Sequence, residues 1–205
     1  MFSDPLPSYV ITKTSNIMAG LGTIPRVVTI GEDIYRKQLT FKEAKQRIED
    51  NYIPYHDALS GLLNKTHKKF GTALLIDCHS MPSADDHQQQ QKTEPLADII
   101  LGECHGKSCD PLITDAAEQI CRDIGLSVAR NKPYAGGYTT KYYGQPKYNF
   151  HCLQIEIKRS LYMDELRIER GPGLAQLIRQ MRCLINTMTS IDFSTLMPKT
   201  LIAAE

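Results

Sequence analysis

The chain has 205 residues, 41% of them hydrophobic, with 24 Lys and Arg against 23 Asp and Glu. That length and apolar content suffice for one sizeable core and set a single domain over 1–205 as the expectation, while the balanced charge excludes a global pull toward nucleic acid or an acidic membrane. No apolar run reaches the roughly 18 to 20 residues that span a bilayer, the first ten residues lack the pattern of a secretory signal, and six scattered cysteines fit free thiols in a reducing cytoplasm.

Residues 1–25 are rich in Pro, Ser, Thr and Gly without a period, so they are expected to form an extended lead-in. From Thr40 the pattern turns helical, with Phe41, Ala44 and Ile48 at helical spacing, and Pro54 suits the first turn of a second helix. There Tyr55, Ala58, Leu59, Leu62, Leu63 and Thr66 make a stripe opposite Asp57, Asn64, Lys65 and Lys68, and Gly71 ends the helix. The apolar run Thr72-Ala-Leu-Leu-Ile-Asp-Cys78 predicts a buried central strand whose C-terminal end presents Asp77 and His79. Residues 83–95 are polar with a glutamine run and are expected as a flexible, solvated loop.

A second strand is predicted over Ala97–Leu101, followed by a loop holding Cys104, His105 and Cys109. Asp110 then caps a helix with Pro111 at its first position, and Leu112, Ile113, Ala116, Ala117, Ile120, Cys121 and Ile124 give it an apolar face. Gly125 ends that helix, a strand follows over Leu126–Arg130, and the turn-rich segment Asn131-Lys-Pro-Tyr-Ala-Gly-Gly-Tyr138 opens a loop running to about Lys147. In the strand from His151 to Ile157, Leu153, Ile155 and Ile157 point one way and Cys152, Gln154 and Glu156 the other. A last helix from Gly173 to Ser190 repeats Leu174, Leu177, Ile178, Met181, Leu184, Ile185 and Met188. Strands alternating with helices give an α/β fold: a three-layer α/β/α arrangement around a mixed, mostly parallel sheet.

Two side chains on these strands carry candidate chemistry. His79 at a strand end can offer one ring nitrogen to a metal while a carboxylate holds the other, or it is an ordinary hydrogen-bonded histidine. Glu156, on the polar face of an apolar strand, is either ion-paired to Lys158 or Arg159 or poised as a general base. Cys104, His105 and Cys109 are too few for a zinc knuckle without a second ligand pair. A cysteine nucleophile served by His105 or His151 has no local arrangement to order it.

Taken together, Leu75-Ile-Asp-Cys-His-Ser-Met-Pro82, Asp98-Ile-Ile-Leu-Gly102 with Ser108-Cys109, Asn131-Lys-Pro-Tyr-Ala-Gly-Gly-Tyr138 and Leu153-Gln-Ile-Glu-Ile-Lys-Arg-Ser-Leu-Tyr-Met-Asp-Glu165 resemble the N-formylglutamate amidohydrolase family in order and spacing. Gly20-Leu-Gly-Thr-Ile-Pro-Arg26, Glu32-Asp-Ile-Tyr35 and Tyr52-Ile-Pro-Tyr-His56 extend the resemblance over nearly the whole chain. The family is similar to the zinc carboxypeptidase and aspartoacylase group, so the resemblance implies a phosphorylase/hydrolase-like α/β/α domain. It also implies one Zn²⁺ ion held by two histidines and a carboxylate, and a water that attacks an amide of a small N-acyl amino acid. His79 would then be a metal ligand and Glu156 the water-activating carboxylate. Tyr134, Gly136, Gly137, Tyr138 and Arg159 would shape a pocket for an acidic substrate such as N-formylglutamate, with no nucleic acid or membrane partner.

The family's first histidine and carboxylate ligands, and its Asp-x-Asn-Arg type segment, have no counterpart before His79. The chain is therefore expected to be cut at the front with its first strands missing. The alternative that follows is an inactive remnant or a ligand-binding module, prone to self-association through an exposed sheet edge.

Overall fold

The computed structural model describes residues 3, 5–28, 31–83 and 96–192. The expected loop over 83–95 falls outside these, Ser83 excepted. The chain divides into two compact units, Met1–Gly61 and Leu62–Glu205. Among the described residues no helix is long and apolar enough to cross a membrane.

In the first unit the lead-in carries one short helix, α1 (Ser15–Met18), started by the Thr14 hydroxyl accepting from Ile17 N. The helix α2 (Phe41–Arg47) begins with a capping box: Glu43 N donates to Thr40 Oγ1 at 3.1 Å and Thr40 N donates to Glu43 Oε2 at 2.7 Å. Thr40 N, together with Thr40 Oγ1 donating to Glu43 Oε2 at 2.9 Å, holds the Glu43 carboxyl below the usual range. A widened turn over Ile48–Tyr52 leads into α3 (Ile53–Phe70), which runs from the first unit into the second. The stripe expected on α3 is not a buried face, since only Leu63 is buried and Tyr55 and Leu62 stay exposed. What fixes its last turns is Leu63 and the stacking of His67 on Phe150, with ring centroids 4.4 Å apart.

The second unit is built on four strands: β1 (Ala73–Met81), β2 (Ile99–Gly102), β3 (Val128–Arg130) and β4 (Phe150–Lys158). Their order across the sheet is β1-β4-β2-β3, with β1 parallel to β4, β2 parallel to β3, and β4 antiparallel to β2. This is the mixed, mostly parallel sheet of an α/β fold. Strand β1 runs three residues past the expected end, because its pairing with β4 continues to Met81 opposite Lys158.

Residues paired across the sheet point the same way, so the two faces can be read from the register. One face carries Ile99, Leu101, Val128, Leu153 and Ile155, and these pack against Ile113, Ala117 and Cys121 of α4 (Pro111–Asp123). Leu184 and Met188 of a last helix (Leu174–Thr189) close the same cluster. Each such buried aliphatic side chain contributes roughly 1.5 to 3 kcal/mol by leaving water. Helix α4 starts where expected, with the Asp110 carboxylate accepting from Leu112 N at 2.9 Å, though Leu112 itself is exposed rather than part of the apolar face. The opposite face is covered by α5 (Tyr138–Tyr143), inside what the sequence reads as loop, where Thr140 and Tyr143 are buried. The Leu174–Thr189 helix is α6, and a small hairpin of β5 (Met163–Asp164) and β6 (Glu169–Arg170) precedes it.

Candidate active site

Register places the chemistry on the α5 side of the sheet. Asp77 pairs with Gln154 and His79 with Glu156 across β1 and β4, so four polar side chains share one patch. His79 Nε2 lies 3.0 Å from Asp77 Oδ1, which orients the ring and leaves Nδ1 directed elsewhere. Asp77 is mostly buried while His79 is about half exposed, so the pair spans from the interior to the surface. Asp77 Oδ2 is buried and has no hydrogen-bond partner among the described residues, an acceptor position that suits a cation or a water.

Glu156 is 6% exposed. Burial pushes its carboxyl above the usual range and Asp77 adds to the rise, with His79 and Arg159 pulling the other way. The ion pair with Lys158 considered from the sequence does not form, because Lys158 Nζ lies 2.7 Å from Asp98 Oδ1 instead. Its carboxylate is held by an amide: Gln154 Nε2 donates to Glu156 Oε1 at 2.9 Å. Arg159 reaches back over β1, its Nε donating to Ser80 Oγ at 3.4 Å.

The glycine-tyrosine segment lies directly on this face. A Cβ added to Gly102, the residue paired with Gln154 on β2, would stand 2.9 Å from Gly136 N and 3.1 Å from Tyr134 O. Only a glycine lets the segment approach the sheet so closely. Gly136, with φ of 122°, would in turn drive a Cβ to 2.8 Å from Cys104 Sγ. Gly137 N donates to Gln154 Oε1 at 2.7 Å, so the segment is tied to the same amide that holds Glu156. Tyr134 and Tyr138 are the more exposed members of this segment, and Tyr138 stacks on Tyr142.

Of the residues that sequence reading grouped in one site, His79, Glu156 and the Tyr134 to Tyr138 segment lie around one face of β4, whereas Arg159 follows the strand and bonds to Ser80, whose partner Ile157 is on the other face, with its charge still felt at Glu156. Sequence reading missed Gln154 as more than an outward polar residue, and it missed a buried clamp, in which Asn131 Nδ2 donates to Glu103 Oε1 while Glu103 N donates to Asn131 Oδ1. That clamp fastens the loop after β2 to the glycine-tyrosine segment. The signal available for it was a carboxylate and an amide, each at the C-terminal end of a strand.

The competing chemistries fare differently. His151 sits on the other face of β4, its Nδ1 accepting from Asp110 N at 3.2 Å, away from Glu156. Burial pushes the Cys109 thiol up to about 12 and Cys121 to about 11, and raises Cys78 and Cys152 too, which works against the thiolate that a nucleophile needs. No three His, Cys, Asp or Glu side chains converge among the described residues. A catalytic zinc takes three protein ligands. The Asp77–His79 pair with its unpartnered oxygen fits part of such a site, and the described residues do not complete it.

Comparison with known proteins bears on the family of the chain. The family model for N-formylglutamate amidohydrolase matches residues 3–163. An N-formylglutamate deformylase of Pseudomonas putida is 34% identical over 150 residues, which is 72% of this chain and 55% of that protein. One from Pseudomonas aeruginosa is 32% identical over 166 residues, 80% of this chain and 59% of its own length. The chain thus spans a little over half the length of these relatives. The crystal structure of N-formylglutamate amidohydrolase from Ralstonia eutropha JMP134 superposes with a TM-score of 0.79 at 34% identity, covering 92% of this chain and 66% of that one. A second solved structure, from Agrobacterium tumefaciens, shares the fold with a TM-score of 0.56 at 19% identity. A model match across most of its length, relatives at this identity and the shared fold together mean that the chain belongs to the N-formylglutamate amidohydrolase family.

Proposed function

We propose that this chain carries the proton-transfer and substrate-holding half of an amide hydrolase acting on an N-formyl or N-acyl acidic amino acid such as N-formylglutamate. The observation that carries the reading is Glu156: a buried carboxylate, raised in pKa, on the same face as the Asp77–His79 pair. A carboxylate shifted toward neutrality is a better match for taking a proton from water and returning it to a leaving nitrogen. Water adds to the formyl carbonyl, Glu156 accepts the proton that water loses, and the same proton passes to the amino acid nitrogen as the C–N bond breaks. Formate and the free amino acid leave.

The glycine-tyrosine segment, with Tyr134, Gly136, Gly137 and Tyr138, would wall the pocket, and Arg159 would grip a substrate carboxylate through its guanidinium. His79 would serve as one ligand of a single zinc ion, which supplies Lewis-acid polarisation of the carbonyl when bound. Since the described residues do not complete a ligand set, no step is assigned to the ion. That shortfall also favours a second reading, a module that binds the acidic ligand without turning it over.

The test is formate release from N-formyl-L-glutamate with zinc supplied, in the wild type and in Glu156→Gln. Turnover lower by about 10²- to 10⁴-fold in the variant, at equal ligand affinity, supports the hydrolase. Equal turnover in both proteins rejects Glu156 as the proton carrier. Saturable binding that Arg159→Ala weakens, with no formate from either protein, selects the binding module.

A further inference from the structure

We propose that Gln154 is a positioning residue that locks the glycine-tyrosine segment and the Glu156 carboxylate into one unit. The inference rests on the reading of Glu156 above and extends it to a residue that touches no reacting atom.

Gln154 is 4% exposed, and both ends of its amide are engaged. Its Oε1 accepts from Gly137 N at 2.7 Å and from Thr140 Oγ1 at 3.3 Å. Its Nε2 donates to Glu156 Oε1 at 2.9 Å. A carboxamide carries an acceptor at one corner and a donor at the other. Here the acceptor holds the start of α5 and the donor points along the strand at Glu156, two residues on.

The arrangement has a physical consequence. An amide that accepts two hydrogen bonds at its oxygen cannot rotate to offer that oxygen to Glu156 without losing both, so its N–H stays aimed at the carboxylate. The carboxylate of Glu156 is therefore pinned at Oε1 by a donor of fixed direction. Packing reinforces the coupling, because Gly102 is paired with Gln154 and its missing side chain is what lets Tyr134–Gly136 settle beside the amide. Thr140, fully buried, closes the remaining side. Movement of the pocket segment is thus transmitted to the orientation of the proton carrier through one side chain.

Two substitutions separate the halves of this role. Gln154→Glu keeps an oxygen for Gly137 N but loses the donor to Glu156, and Gln154→Met loses both. Amide hydrogen exchange at Gly137 to Thr140, measured on the chain itself, should accelerate about fivefold or more in Gln154→Met and about two- to fivefold in Gln154→Glu, which loses only the bond to Glu156, since one net hydrogen bond corresponds to a several-fold change in opening. Glu156→Leu, which touches neither Gly137 nor Thr140, should also raise exchange there, by about two- to fivefold, because it unpins the far end of the amide. With N-formyl-L-glutamate as substrate, Gln154→Glu should lower kcat about tenfold or more with KM changed less than twofold, and Gln154→Met should alter both.

Unchanged exchange at Gly137 in Gln154→Met overturns the proposal, as does acceleration spread evenly over the whole second unit, which marks a merely structural role. Where Gln154→Met does not fold, the same-shaped Gln154→Glu and Glu156→Leu decide it: no rise in exchange in Glu156→Leu overturns the coupling. Full turnover in Glu156→Gln would reject the proton carrier while leaving the exchange result at Gly137 intact, so the two readings fail separately.

Discussion

At the scale of single residues, strand β4 holds a buried carboxyl, Glu156, and a buried imidazole, His151, on opposite faces, and they respond to pH in opposite senses. Burial raises the Glu156 carboxyl above its ordinary 4.5, so the folded state favours the protonated form. The unfolded chain ionises first as pH rises past that ordinary value, and stability falls from there up to the folded pKa. Glu156→Gln removes this loss. Its urea midpoint should exceed that of the wild type at pH 7.5 and match it at pH 4, and a gain as large at pH 4 would contradict the burial argument. His151 is the converse: burial lowers it below its ordinary 6.5, so the folded state favours the neutral ring. Protons bind the unfolded chain first as pH falls through 6.5, and stability declines below that point. His151→Gln should weaken the protein at pH 7 through lost packing yet flatten the wild-type decline between pH 7 and pH 5.

At the scale of elements, two glycines predict opposite outcomes for the same substitution. Gly61 lies inside α3 with nothing within 4 Å of an added Cβ, so Gly61→Ala should stabilise by about 0.5 to 1 kcal/mol through helix propensity. Gly102 meets backbone atoms of Tyr134, Ala135 and Gly136 at 2.9 to 3.1 Å, so Gly102→Ala should cost about 1 to 3 kcal/mol and lift the pocket segment off the sheet. Denaturant midpoints of both variants check the pair, and equal effects would mean that the close approach at Gly102 is not a constraint. The alternation of β4 was legible because period two is written into Leu153, Ile155 and Ile157 against Cys152, Gln154 and Glu156. So was the start of α4, since Asp110 and Pro111 fix it locally. What escaped was set by distant pairing: β4 lying between β1 and β2, and α5 forming in a tyrosine-rich stretch with no apolar period, held down by Gln154 and Gly102. The Glu103–Asn131 clamp joins residues 28 apart and leaves no local trace.

At the scale of the whole molecule, charge and edge act together. The net charge of +1 and pI of about 7.6 leave little mutual repulsion near neutral pH. Strand β1 ends the sheet order with β4 as its one neighbour among the described residues, and its Cys78 and Ser80 are exposed. A strand edge offers unpaired backbone groups to a second copy of the chain, and low net charge removes the main barrier to meeting one. Association is therefore proposed to peak near pH 7.6 and to fall toward pH 6, where the net charge of the chain becomes more positive. Sedimentation velocity across that range checks this, with added salt as the discriminator. Charge-limited association grows when salt screens the pH 6 form, whereas a chain that sediments as monomer at every pH and salt would show that the β1 edge does not pair. Ser80→Lys, placing a charge on the edge strand itself, should suppress association at pH 7.6 more than a lysine on the exposed face of α3 does, because only the edge position must be desolvated when strands meet.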